Sequence, residues 1–122
     1  MIINLTQHQA TPEQIAAGVV DMTGQKLANL KLFLTFEELP TRSGIEEVAH
    51  AIAYMAASCF EPTEERHAMI GGAPFLMSAL EAALMDRGII PLYAFSKRES
   101  VEEVQEDGSV KKTAVFRHAG FI

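Results

Sequence analysis

The sequence predicts an α/β fold with α+β character: a small central β-sheet flanked by helices, followed by a long C-terminal antiparallel hairpin. Three observations predict it. Short apolar runs, "IINL" at 2–5 and "HAMI" at 67–70, each stop at a polar or glycine break. Segments of helical period lie between and after them, an alternation that implies strands layered with helices. Beyond residue 88, β-rich runs flank Asp107-Gly108, a pair that favours a tight hairpin turn.

Each element has a local reason. "TPEQIAAG" reads as a short helix, with Thr11 as cap, Pro12 in the first turn and Gly18 past the end. "VVDMTG" reads as a second short strand. From Gln25 to Leu39, Leu27, Leu30, Leu34 and Phe36 predict a helix ending before Pro40. In "TRSGIEEVAHAIAYMAASCF", Thr41 or Ser43 can cap a helix that turns Ile45, Val48, Ala49, Ile52, Ala53 and Met55/Ala56 to one face. A further helix runs from Pro74 to about Arg87 and closes at Gly88. "IIPLYAFSKRESVEEVQ" is then one strand leaving the core, and "VKKTAVFRHAGFI" is its partner after the "EDGS" turn.

The 122 residues form one domain, 1–122, with no repeat, linker or low-complexity tract. Hydrophobic residues at 48% and charged residues at 21% are ordinary globular composition. No apolar run is long enough to span a membrane, and "MIINLTQHQAT" lacks the marks of a signal peptide, so a cytoplasmic location and no membrane partner are expected. A net charge of −6 disfavours long nucleic acid, whose binding rests on many Lys/Arg–phosphate contacts. It leaves room for a small phosphorylated ligand. The single Cys59 reads as a packed helix residue, and no spacing marks a metal site or a resident cofactor.

The candidate site begins at "AMIGGAPF". A strand that runs into Gly71-Gly72 and then a helix presents backbone N–H groups to an anion, aided by the helix dipole. Ala73 stands at the cap without a side-chain acceptor, which leaves that place open to a phosphate or to water. Phe75 in the first turn can stack on a purine or ribose. The structural alternative is a glycine-rich turn with Phe75 in the core. In "AFSKRES", Ser96 and Arg98 lie where the third strand leaves the core, with Lys97 and Ser100 beside them. Arg98 can clamp a phosphate, or pair with Glu99, Glu102 and Glu103, and Lys111 and Lys112 lie opposite those carboxylates. Arg117 and His118 sit in an apolar terminus that must pair in the sheet or against another subunit. Among His8, His67 and His118, His8 is the best placed for chemistry because "TQH" follows the first strand, but no catalytic constellation is visible.

Taken together, "NLTQHQATPEQ", "LTFEELPTR", "AMIGGAPFLM", "LYAFSKRESVEE" and "VFRHAGFI" resemble small phage and prophage proteins, the first-described family of Thoeris anti-defence sponges. The resemblance spans nearly the whole chain. It implies a non-enzymatic protein that binds the cyclic ADP-ribose isomer made by TIR-domain proteins without cleaving it, and so silences anti-phage defence in the host cytoplasm. Related members take cyclic oligonucleotides too, and assemble as dimers or larger homo-oligomers. On that resemblance Gly71, Gly72, Ala73 and the amide of Phe75 receive a phosphate and the Phe75 ring stacks. Arg98 and Arg117, with Arg66 as a third, are the cationic partners. Sequestration needs ground-state affinity rather than transition-state complementarity. Two other classes remain open: a small cyclic-oligonucleotide nuclease or sensor linked to CRISPR signalling, working through His8, Lys97 or His118, and a purely structural protein.

Overall fold

The computed structural model describes residues 1–122. In chain order the elements are β1 (Ile2–Leu5), α1 (Pro12–Ala16), β2 (Val19–Asp21), α2 (Gly24–Leu34), α3 (Arg42–Ala57), β3 (His67–Ile70), α4 (Pro74–Met85), β4 (Ile90–Leu92), β5 (Ala94–Val104) and β6 (Val110–Phe121). The first four strands form a parallel sheet in the order β2-β1-β3-β4, and β5 and β6 form a separate antiparallel hairpin. The expected architecture is therefore present.

Strand alternation divides the sheet's two faces. Ile3, Leu5, Ala68 and Ile70 share one face, because Ile3 lies beside Ala68 and Leu5 beside Ile70. They join Leu30 and Leu34 of α2, Ile52, Ala53 and Ala56 of α3, and Leu76, Leu80 and Leu84 of α4 in the main core. The other face is lightly covered: Val19 and Met69 meet Ala10, with Ile2 and Phe121 packed against them. The apolar terminus thus pairs within the chain, and Phe121 covers the second face of the sheet.

The helix ends follow their sequence signals. Thr11 and Gln14 form a reciprocal capping box on α1, and Thr41 Oγ1 accepts from Gly44 N at 3.0 Å at the start of α3. After α4, Gly88 adopts φ +71°, with Gly88 N donating to Met85 O at 3.0 Å and Ile89 N to Leu84 O at 2.9 Å. That reversal delivers Ile89 into the core.

Two expectations are corrected. Helix α2 stops at Leu34 rather than running to Leu39, because Thr35 turns extended (φ −101°, ψ 121°) and its hydroxyl donates to Lys31 O at 2.7 Å. Phe36 then meets Phe75 edge-on, with ring centroids 4.9 Å apart. The single strand expected after Gly88 is two. β4 completes the parallel sheet, and Tyr93 then exchanges backbone bonds with Ile122, N→O 2.7 Å and O←N 2.9 Å, which starts the hairpin. Its turn is closed as expected around Asp107-Gly108, with Gln105 N donating to Ser109 O at 2.8 Å.

Candidate functional site

In the sheet order β2-β1-β3-β4 the chain leaves β1 to one side for β2 and returns on its other side for β3. The carboxyl ends of β1 and β3 are therefore the topological switch point, where connections part and open parallel sheets hold their ligands. Two sequence segments meet there: Thr6-Gln7-His8-Gln9 after β1, and Gly71-Gly72 after β3. Together with Thr11 and Gln14 of the α1 start, and Tyr93 and Ala94 of the β4–β5 junction, they line a crevice of about 420 Å³.

The loop after β1 is shaped from below by Asn4, the one buried polar residue, only 3% exposed. Its Nδ2 donates to His8 O at 2.8 Å and to Asp21 Oδ1 at 2.7 Å, while its Oδ1 accepts from Thr6 N at 2.9 Å. Asp21 Oδ1 also accepts from Ala10 N at 3.1 Å. Both ends of the loop are thus tied to one side chain, and a buried amide with all its capacity used holds a single geometry. Gln7 Nε2 reaches Thr35 Oγ1 at 3.2 Å, fastening the loop to the end of α2 as well.

On the opposite wall Gly72 takes φ +141°, which favours glycine, and a Cβ added to Gly71 would stand 3.5 Å from Thr6 Cγ2. The two loops therefore approach each other backbone to side chain. The amides of Gly71, Gly72 and Ala73 donate to no other group of the chain, and Ala73 makes no side-chain cap, so the strand–helix turn is as open as its sequence implies. One helix amide is already engaged: Leu76 N donates to Ala73 O at 3.0 Å.

The crevice lining contains no Asp, Glu, Lys or Arg, although charged residues make up 21% of the chain. Its polar groups are amides, hydroxyls and one imidazole. Tyr93 keeps its phenol protonated, since burial pushes its pKa up and the Glu81 carboxylate pushes it the same way. A neutral, donor-rich cleft of this size suits a ligand whose own charge is spread over phosphate oxygens. On the far side of the His8 loop lies a smaller cavity of about 220 Å³, lined by Asn4, Asp21, Thr23 and Lys31 among others.

The structure sorts the expected site residues. His8, Gly71 and Gly72 are brought together, with Ala73 next to them. Phe75 is not in the crevice: half exposed, it lines the groove between α3 and α4 with Pro40, Arg42 and His50. That groove is the largest concavity, about 700 Å³, but it is lined by helix and loop residues alone, with no strand residue in it. Ser96 and Arg98 stand on the exposed hairpin, outside the lining. Arg117 is held in ion pairs, 3.5 Å from Glu99 Oε2 and 3.9 Å from Glu13 Oε1. Arg66 precedes β3, at the opposite end of the sheet, where it donates to Arg87 O at 3.3 Å. His118 lies against Phe121 with its Nδ1 buried and unpartnered.

Asn4, Thr6, Gln7, Gln9 and Tyr93 were not singled out from sequence. The run of four polar residues immediately after an apolar strand is the signal that points to most of them. Asn4 itself sits inside the apolar run, where an amide has to find partners.

Fold and crevice define a protein with a four-stranded parallel sheet, flanked by helices, and an open crevice at its switch point. The chain belongs to the family described as the uncharacterized protein MJ1673 family, whose model matches residues 1–122. No curated protein and no solved structure matches the chain. No helix is long and apolar enough to cross a membrane, and no three His, Cys, Asp or Glu side chains group as a metal site would need.

Proposed function

We propose that this protein binds a cyclic nucleotide messenger at the switch-point crevice and holds it without cleaving it, silencing the defence response that the messenger drives. The observation that carries the reading is the meeting of the Thr6–Gln9 loop with the free amides of Gly71-Gly72 in a cleft without carboxylates. Phosphate oxygens find N–H and O–H donors there and no carboxylate in the lining itself. The likeness of the sequence to Thoeris anti-defence sponges favours the cyclic ADP-ribose isomer of TIR proteins as the ligand. Non-cleavage is favoured by the lining, in which His8 is the one imidazole and its ring makes no hydrogen bond to an orienting group. An imidazole without such a partner lacks the group that fixes its tautomer and orientation in catalytic sites.

The second reading, cleavage of a cyclic oligonucleotide, is favoured by that same His8 at the mouth of both cavities. Ligand fate separates the two. The protein is incubated with the TIR-made cyclic ADP-ribose isomer, freed of unbound ligand, heat-denatured, and the supernatant read by mass spectrometry. Intact messenger released only on denaturation is the expected result. A cleaved product transfers the assignment to the second reading, with His8→Ala then abolishing product. Retention of nothing, from this ligand or from cyclic oligonucleotides, removes the proposal. Gly71→Ala is expected to weaken retention while leaving thermal stability nearly unchanged, because its Cβ meets Thr6 at ordinary contact distance, in the wall of the crevice.

A further inference from the structure

The hairpin arm carries a strand, β5, with one edge unpaired and charges that are complementary to themselves. All eleven residues of β5 are exposed. From Ala94 to Glu102 its backbone bonds to nothing but β6; near the tip Gln105 Nε2 donates to Glu103 O at 3.3 Å. The outer edge of β6 is different, since His118 N there donates to Glu13 Oε2 at 3.0 Å. An isolated two-stranded hairpin is marginal in water, and a free strand edge is a template for another strand.

The sequence of that edge, "KRESVEE" from 97 to 103, is basic at the body end and acidic toward the tip. Antiparallel pairing of two copies about a two-fold axis normal to the sheet puts one residue opposite itself. With Ser100 at the axis, Arg98 faces Glu102 of the second copy and Lys97 faces Glu103, each pair occurring twice. No like charges then meet. Every other centre from Lys97 to Glu103 opposes like charges: Lys97, Arg98, Glu99, Glu102 or Glu103 to itself, or, about Val101, Glu99 to Glu103. Within one chain Lys97, Arg98 and Glu103 make no ion pair, and Glu102 has only an exposed 3.8 Å contact with Lys112.

The geometry points to a second copy of this chain as the occupant of the β5 edge, joined through antiparallel β5–β5 pairing centred on Ser100 into a four-stranded, two-fold symmetric sheet. Backbone bonds hold the pair and the alternate side chains fix its register. The pairing leaves the crevice lining untouched except near Ala94, so it stands independently of the nucleotide reading.

Light scattering on the full chain tests it without any ligand. The expected species is twice the 13.4 kDa chain mass. Arg98→Glu and Glu102→Arg should each raise the dissociation constant by about tenfold or more, because like charges then face each other across the axis. Mixed one to one, the two variants should dimerise again, the first arm being acidic at both positions and the second basic at both. In a Cys59→Ala background, Ser100→Cys should cross-link to itself under mild oxidation, whereas Val101→Cys, which faces Glu99, should not. Circular dichroism confirms that the exposed substitutions leave the fold intact. A monomeric wild type, a dimer indifferent to both charge reversals, or a dimer that Ser100→Cys does not cross-link would overturn the proposal.

Discussion

In the body of the molecule, Leu5, Leu30, Ile52, Leu76, Leu80, Leu84 and Ile89 meet almost no solvent, whereas along the arm from Ala94 to Phe121 no residue is buried. Both regions have regular secondary structure with extended ladders, the arm's broken only by a bulge at Phe95/Ser96, so hydrogen bonding does not separate them. Burial does. Strands of three or four residues persist in the body because helices cover them. Strands of eleven and twelve residues in the arm have little beyond each other, apart from Phe121 on the sheet and the Glu13 contacts of Arg117 and His118. The difference teaches that length and β propensity make a strand, but a second layer makes it stable. It also separates the two proposals: the crevice is lined mostly by the body, and the paired edge proposed above lies on the arm.

The comparison breaks most sharply in the core. Leu80→Ala is expected to destabilise the whole domain by about 2–5 kcal/mol in chemical denaturation. Val101→Ala on the arm should change the same midpoint by no more than about 0.5 kcal/mol. Equal losses would mean that body and arm fold as one cooperative unit. Asn4→Ala comes next. It removes the bonds that Asn4 makes to His8 O, Asp21 Oδ1 and Thr6 N, leaving Asp21 only the Ala10 amide, at about 1–3 kcal/mol in all. Hydrogen exchange should accelerate across residues 6–10 before it does in α3. Gly72→Ala follows, at about 1–3 kcal/mol, since φ +141° strains a residue with a Cβ even where space allows one.

The smallest effect lies at the tip of the arm. Hydrogen bonds from the Ser109 hydroxyl and amide hold the Asp107 carboxylate below its ordinary pKa of 3.8. A depressed carboxylate contributes stability that is present above the ordinary value and lost as pH falls through the lowered one. Acid should therefore loosen the turn locally, read as faster exchange of the Ser109 amide once intrinsic rates are corrected, with the body unaffected. Exchange in the arm that ignores this titration would sink the argument.

Much of the body is legible in sequence because its signals are local. Thr11, Pro12, Thr41 and Gly88 mark helix ends by backbone chemistry that needs no distant partner. "IINL", "HAMI" and Asp107-Gly108 are equally local. The end of α2 is not: leucines continue to Leu39, but Phe36 leaves the helix to meet Phe75, a contact set by α4. The split at Tyr93 is hidden for the same reason, since its partner is Ile122.

For the candidate site, Gly71-Gly72 and His8 could be read as residues at strand ends, because a break after an apolar run is visible in one dimension. That they face one another could not. Their meeting depends on β3 pairing with β1 rather than with β2, a choice made by which faces of α2, α3 and α4 find each other. Phe75 shows the converse: one helical turn separates it from the glycines in sequence, and the turn of the helix carries its ring into a different groove. The sequence by itself determined the elements, their caps and the charge order along β5, all governed by neighbours a few residues away. Only the tertiary structure decided which loops share the crevice and which strand edge stays free, because strand order and helix packing are settled by burial across the whole chain.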